Sequence, residues 1–360
     1  MSEVQISFAD LFPKETIYKK ERSTDWKWSF KDYPSKNGLK VFSCFACGGG
    51  STMGYKLAGC DVIGDLELDE KINKVYVKNH NPKYNYCMDI RDFNKLEDLP
   101  EELYDLDILD GSPPCSTFSM AGDRENAWGK EKKFREGQKL QTLDDLPFVF
   151  IETVKKLRPK VVIMENVEGL LLGEAWEYVK KIYKDFSDIG YKVRHKLLKG
   201  EEMGVPQTRH RVFFIATRLD FDLEKINLNF NYEEVIFQEI ETEYHKFVSG
   251  KKYELSKQAQ KSDKSLRDIN LRLYGKNSFF SEQIVRRDKV CYTIVAGGSE
   301  IWIENTGYYI NSSEIINACT FPQDYNFCGY KPKYICGMSV PPIMIKRIVN
   351  RIIESGIFKG

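Results

Sequence analysis

The chain has 360 residues, 42% hydrophobic and 30% charged, with 54 Lys and Arg against 53 Asp and Glu. That balance excludes a disordered, fibrous or polycationic protein, and its apolar runs fall far short of the roughly 18 residues a membrane span needs. The opening MSEVQISFAD lacks the features of a secretory signal, and nine cysteines in so large a chain read as reduced thiols, so an intracellular protein of one or two domains is expected.

Residues 1–38 are polar with scattered aromatics and read as an appended arm. From Leu39 onward, short apolar runs alternate with amphipathic stretches, the mark of an α/β domain with a largely parallel sheet. Strands are predicted at 39–45, 61–66, 106–109, 160–164, 191–197 and 211–216. Helical faces are predicted from Ile72, Val75, Tyr76 and Asn79, from Ile151, Val154 and Leu157, and from Trp176, Val179, Tyr183 and Phe186. Residues 219–280 are polar and irregular, as a separate recognition module or long loops would be. Charge is uneven there, with eight acids and one base over 220–243, then nine bases and three acids over 244–276. One face able to meet a polyanion is compatible with this. A final helix carries Ile345, Ile348, Val349 and Ile352 on one side.

The first strand runs into Phe45-Ala46-Cys47-Gly48-Gly49-Gly50. Glycines at a strand-to-helix turn either let a ligand approach the backbone or simply make a tight turn. A dinucleotide fingerprint fails, because Met53 stands where its third glycine belongs. The second strand leads to Glu67, a carboxylate placed to take the two hydroxyls of a ribose, so a nucleoside cofactor is expected. Cys44 and Cys47 form a lone C-x-x-C pair and the four histidines have no ligand spacing, so no metal is expected.

A buried-strand run over 106–110 opens onto Gly111-Ser112-Pro113-Pro114-Cys115, a stiff turn that delivers a thiol to the carboxyl end of a strand. Cys115 is there either a nucleophile or an ordinary loop thiol. Four apolar residues precede Glu165-Asn166, so Glu165 is expected to emerge at the same edge. Gln207, Arg209 and Arg211 precede or open the next strand, and alternation should send both guanidinium groups to one face, toward an anionic or carbonyl-bearing substrate.

In this order the motifs resemble the DNA (cytosine-5) methyltransferase family over roughly residues 39–218 and 284–355. The resemblance rests on the glycine loop, Glu67, Asp89-Ile90, Pro114-Cys115, Glu165-Asn166-Val167, Gln207-x-Arg209-x-Arg211 and Gly337-Met338-Ser339-Val340. It implies a Rossmann-like S-adenosylmethionine-dependent methyltransferase fold: a mixed, mostly parallel sheet with helices on both faces, plus a small, irregular target-recognition domain. The implied division is 1–38 for the arm, 39–218 completed by 331–360 for the catalytic domain, and 219–330 for the small domain. S-adenosyl-L-methionine is the implied cofactor, held by Phe45, Gly48, Gly49, Gly50, Glu67, Leu68, Asp89, Ile90, Pro114, Met338, Ser339 and Val340. Three positions depart from the family pattern: Cys47 replaces the first loop glycine, Leu68 an aromatic, and Met338 an asparagine.

The implied reaction is methylation of carbon 5 of a cytosine in a specific duplex DNA sequence, through covalent addition of Cys115 to carbon 6. Glu165 would act as a protonated carboxyl at nitrogen 3, Arg211 would hold the base carbonyl, Arg209 would support the site, and Asn166 would orient the loop. The base must leave the stack, and the polar loop after Cys115 is expected to close over it. Expected DNA contacts are Ser119, Lys130, Lys132, Lys133, Arg135 and Gln207. The expected partners are double-stranded DNA and, in a restriction–modification setting, a companion restriction endonuclease. The protein is expected to be a monomer in the cytoplasm, or in the nucleus of a eukaryote. Alternatives are a tRNA cytosine-5 methyltransferase of the same fold, a catalytically silent nucleic-acid-binding homologue, and a nucleotide-dependent oxidoreductase.

Overall fold

Runs of β-branched and aromatic residues build a central sheet in the computed structural model, which describes residues 20–114 and 145–359 apart from 244, 246–248, 280 and 299. In chain order come β1 (Lys40–Cys44), α1 (Gly50–Leu57), β2 (Asp61–Leu66), α2 (Glu70–His80), β3 (Tyr84–Tyr86), α3 (Ile90–Phe93) and β4 (Ile108–Gly111). They are followed by α4 (Leu146–Leu157), β5 (Val161–Val167), α5 (Trp176–Asp188), β6 (Tyr191–Lys199) and β7 (His210–Arg218). The rest of the chain forms α6 (Phe237–Ile240), α7 (Lys251–Ser256), α8 (Leu266–Tyr274), β8 (Gln283–Val285) and β9 (Ile301–Ile303). It ends in α9 (Ser312–Ala318), α10 (Pro332–Met338) and α11 (Pro342–Glu354).

Seven strands form one sheet in the order β3-β2-β1-β4-β5-β7-β6. The first five pair in parallel, and β7 runs antiparallel to both β5 and β6. This is the mixed, mostly parallel Rossmann-like architecture expected. Strand alternation divides the core in two. Val41, Ile108, Val161, Ile163 and Phe213 face α1, α2 and α11, while Phe42, Leu109, Val162, Met164 and Phe214 face α4 and α5. Each such side chain, taken fully out of water, contributes about 1.5–3 kcal/mol. Gly54 lets α1 lie close against α11, since a Cβ there would come 2.5 Å from both Pro342 O and Ile345 Cβ.

Four local expectations change. β5 does not end at Met164: its pairing with β4 stops at Gly111 opposite Met164, but β7 carries it on to Val167 opposite Arg211. The buried face of α5 is Val179, Ile182 and Phe186, with Trp176 and Tyr183 half-buried at its flank. The stretch 219–280 is less irregular than its composition suggests, because it contains α6, α7 and α8. Leu255, Leu266, Ile269, Ile284 and Trp302 form a separate small core there, whereas Leu223, Ile226, Val235 and Phe237 join the main one. Finally, residues 20–38 are packed onto the body. Trp28 is buried and its indole Nε1 donates to Thr320 O at 2.8 Å. Asp25 pairs with Lys346 and Arg347 of α11 at 2.6 and 2.7 Å. Burial alone would raise the Asp25 carboxyl, but Arg347 and Lys346 outweigh it and bring it down to about 2.

Candidate active site

The connections reverse direction across the sheet between β1 and β4, and open α/β sheets bind ligands outside the carboxyl ends of strands at such a point. Cys44 and Gly111, the last residues of these two strands, are partners in the ladder. The loops that follow carry Phe45 and Pro114, while Glu67 and Asp89 follow β2 and β3 along the same edge. Glu67 is fixed from two sides: Cys47 N donates to its Oε2 and Asp69 N to its Oε1, both at 2.9 Å. Cys47 holds a left-handed φ of 49°, and Phe45 one of 55°. A side chain in that region costs roughly 1–2 kcal/mol, which the surrounding packing and the Glu67 contact must offset.

The three loop glycines are required by the protein itself. A Cβ on Gly48 would lie 2.5 Å from Ile335 Cγ2, one on Gly49 would lie 2.0 Å from His80 Nε2, and one on Gly50 would lie 2.5 Å from Val340 O. Ser339 and Val340 therefore back the loop from behind, with Ser339 Oγ donating to Ile335 O at 2.9 Å and Met338 half-buried beside them. Sequence reasoning passed over His80. Burial, helped by the nearby Lys56 charge, pushes its imidazole down to about 3, so the ring is neutral, with Nε2 3.2 Å from Gly48 O. Its one visible signal was a position four residues after Tyr76 on the buried side of α2. Leu68 is 39% exposed and Ile90 is buried. Asp89 caps α3, accepting from Arg91 N at 2.8 Å, and Arg91 in turn reaches Asp145 at 2.6 Å.

Across the crevice, Glu165 sits within β5, opposite Phe213 and diagonal to Arg211 on the same face of the sheet. Arg211 Nε lies 2.8 Å from Glu165 Oε1, and its Nη1 donates to His210 O at 2.7 Å. Asn166, on the opposite face, donates from Nδ2 to Pro113 O at 3.3 Å and so ties β5 to the turn leading toward Cys115. The two arginines do not share a task. Arg209 precedes β7, is 3% exposed, and donates to Ile294 O and Gly337 O at 3.1 and 3.3 Å. Gln207 is fully buried, its Nε2 donating to Ala318 O at 2.9 Å and its Oε1 accepting from Ile294 N at 3.2 Å. That side chain ties internal segments together and does not face DNA, because the amide is spent on buried partners. Cys115, Ser119, Lys130, Lys132, Lys133 and Arg135 lie outside the described residues.

Known proteins match this chain at two levels. The family described as C-5 cytosine-specific DNA methylase matches residues 39–354. The chain belongs to this family. The type II methyltransferase M.FnuDI of Fusobacterium nucleatum is 34% identical over 194 residues, 54% of this chain and 51% of that protein. M.DdeI of Desulfomicrobium norvegicum is 34% identical over 192 residues, 52% of this chain and 42% of that protein. The chain thus matches about half the length of these relatives. The crystal structure of Spodoptera frugiperda DNMT2 superposes with a TM-score of 0.59 at 16% identity, covering 88% of this chain and all of that one, which shows a common fold.

Two further features accompany this family site. Beneath it, Asp110 is buried and accepts from Ser43 Oγ at 2.7 Å and Tyr55 OH at 3.0 Å. Burial pushes its carboxyl up to about 7 against the pull of those two donors, and the Glu165 charge adds to the rise. Beside the start of β7 opens a cleft of about 430 Å³ whose lining mixes the acids Glu201, Glu234 and Asp263 with the bases Lys261, Lys264, Arg286 and Lys289, together with Thr208 and Tyr292. Lys261, Lys264 and Lys289 have no ion-pair partner among the described residues. Periodicity could not have found them, because a charge run looks alike whether it lines a cleft or a solvated face.

Proposed function

We propose that the protein transfers a methyl group from S-adenosylmethionine to carbon 5 of a cytosine turned out of duplex DNA, and that the Glu165–Arg211 pair at the carboxyl edge of the sheet carries this reading. The pair couples a carboxyl and a guanidinium at 2.8 Å, in a family whose name specifies cytosine carbon 5. The cofactor fits the crevice residues. Glu67 offers a fixed carboxylate to a ribose, exposed Leu68 and half-buried Phe45 offer apolar surface to an adenine, and Asp89, Ile90 and Pro114 flank them. When bound, the cofactor supplies an electrophilic methyl group to carbon 5.

The chain's own residues prepare the base. Cys115, as a thiolate, forms a bond to carbon 6, and the electron pair of the 5,6 double bond builds on carbon 5 and, by conjugation, toward nitrogen 3. Glu165, once it has taken up a proton from solvent, delivers that proton at nitrogen 3 as the charge develops, and the remaining N–H groups of Arg211 hold the ring carbonyl. Asn166 keeps Pro113, and hence the approach to Cys115, in register with β5. The nitrogen-3 proton then returns to Glu165, a water molecule takes the carbon-5 proton, and the freed electron pair re-forms the 5,6 double bond as the Cys115 sulfur leaves as a thiolate. Turning the base out costs a few kcal/mol, and contacts to the phosphate backbone offset it. Lys261, Lys264 and Lys289 are assigned to such contacts, in addition to Lys130, Lys132, Lys133 and Arg135. The part around α7, α8, β8 and β9 is assigned to target recognition, within 219–330, and the body of 39–218 with 331–360 to catalysis. In a restriction–modification setting, the companion would be a restriction endonuclease cutting the same site.

The test offers labelled S-adenosylmethionine with duplex DNA and with tRNA in parallel, followed by bisulfite sequencing of DNA from cells expressing the protein. Label in DNA and protected cytosines at one recurring sequence are expected. Label in tRNA alone, or no protected cytosine, refutes the assignment.

A further inference from the structure

Consecutive glycines give a loop little conformational preference of its own, and a loop that must be ordered when its ligand arrives loses affinity. Gly48, Gly49 and Gly50 therefore need to be held beforehand, and two side chains meet at one atom to do so. The Gly48 carbonyl oxygen accepts from Tyr325 OH at 2.6 Å and lies 3.2 Å from His80 Nε2, both contacts being buried. A carbonyl only accepts, so the imidazole proton sits on Nε2, and both lone pairs of the oxygen are engaged. The peptide is tied at its nitrogen too, since Gly49 N donates to Ala46 O at 2.8 Å.

Packing alone does not explain the imidazole. Its ring makes no other hydrogen bond among the described residues, and Nδ1 is buried without a partner. An apolar side chain would fill the space without that orphaned acceptor, so what histidine adds is the Nε2 proton at Gly48 O. The two donors come from parts of the chain far apart in sequence, which are joined beside them. Asn79 Nδ2 donates to Asn326 O, and Asn326 N donates to Asn79 Oδ1, each at 2.8 Å. The N-terminal arm covers both rings. Phe30 stands edge-on to His80 with ring centres 6.2 Å apart and 6.3 Å from that of Tyr325, and its N donates to Asp324 Oδ1 at 3.0 Å.

We infer that His80 and Tyr325 are positioning residues for S-adenosylmethionine, setting the glycine loop in its binding conformation through the Gly48 carbonyl, and that Phe30 gives the arm a share in this task. The inference rests on the proposed place of the cofactor against that loop. It gives the arm a role in cofactor binding rather than in contact with DNA.

Calorimetric titration with S-adenosylhomocysteine, the demethylated product, decides the matter, with duplex DNA titrated separately. Tyr325→Phe removes only the hydroxyl and should weaken S-adenosylhomocysteine binding by about tenfold while leaving DNA affinity within about twofold of the parent. His80→Leu should lose a similar factor, and His80→Gln, whose amide N–H can reach the same oxygen, should recover most of it. A role in packing alone would rank these two the other way, because leucine suits a buried site better than glutamine. Phe30→Ala should weaken the same binding by roughly two- to tenfold. If Tyr325→Phe binds S-adenosylhomocysteine as the parent does, or loses DNA affinity equally, the inference is overturned, even should the His80 variants fail to fold. A leucine variant that binds as well as the glutamine variant also overturns it, and unaltered binding by Phe30→Ala overturns the part given to the arm. A parent protein that binds no S-adenosylhomocysteine refutes the cofactor assignment itself, whereas parent binding with unaltered variants refutes this inference alone.

Discussion

Asp110 offers the sharpest test of the interior beneath the site. It lies in β4, which is buried throughout, and is 1% exposed, with Ser43 Oγ and Tyr55 OH donating to its two oxygens. Its carboxyl is pushed up to about 7, chiefly by burial, from an unfolded value near 3.8. The native state therefore holds this proton more tightly than the unfolded chain. The stabilisation is fully present below the unfolded value and is lost as pH rises through about 7. At 1.36 kcal/mol per pH unit, the group contributes roughly 2.5 kcal/mol less at pH 8 than at pH 5. Asp110→Asn removes this dependence. The variant loses about 1 kcal/mol wherever its amide meets a hydroxyl that must turn, but that offset does not vary with pH. Urea unfolding of both proteins at pH 5 and pH 8 should then show the stability gap moving by roughly 2.5 kcal/mol in favour of asparagine at the higher pH. Asp65, also pushed up to about 7 by burial, leaves a residual slope in the variant. A gap that stays constant between the two pH values refutes the burial argument.

Three other outcomes are expected. Glu165→Gln should slow single-turnover methylation by about 10²–10⁴-fold, because an amide cannot deliver the proton, and an unchanged rate would move the acid role elsewhere. Trp28→Ala should cost about 3–5 kcal/mol in urea unfolding through the lost indole and its bond to Thr320 O, and a cost below about 1 kcal/mol would mean that the arm is not part of the core. Replacing Lys264 and Lys289 by alanine should reduce the slope of log affinity for duplex DNA against log salt by about 0.9 each, whereas an unaltered slope removes both from the phosphate contacts.

Much of the sheet was legible because buried parallel strands write themselves as short apolar runs. The apolar run over 61–66 coincides with β2, and the remaining predicted strands differ from the observed ones only at their ends. β3 was missed for a physical reason: Tyr84–Tyr86 is a three-residue edge strand, polar in the middle, with no run to detect. Glu165 could be chosen from sequence, but not its position inside β5, since only β7 pairing extends the strand past Met164. Gln207 and Arg209 lay in a motif whose spacing suggested exposure, and it is the carbonyls of Ala318, Ile294 and Gly337, distant in sequence, that bury them. The glycines illustrate the same limit. Their sequence position announces a close approach, but not whether a ligand or the chain's own His80, Ile335 and Val340 makes it.

The direction of β7 decides whether this sheet can carry the site at all. Parallel strands deliver their functional residues at one edge, as Glu67, Asp89 and Pro114 show. An arginine at the beginning of a parallel neighbour would lie at the opposite edge, a strand length away from Glu165. Because β7 runs antiparallel to β5, its first residues fall beside the last residues of β5, with Val167 opposite Arg211. The diagonal from Arg211 to Glu165 then brings charge partners together on the face packed by Val161, Ile163 and Phe213, where little water can screen them. Reversal of one strand thus converts two residues far apart in sequence into a 2.8 Å pair held by backbone pairing on both sides. Arg211→Lys keeps the charge but not the planar fork that bonds Glu165 and His210 O at once, so it cannot preserve this geometry.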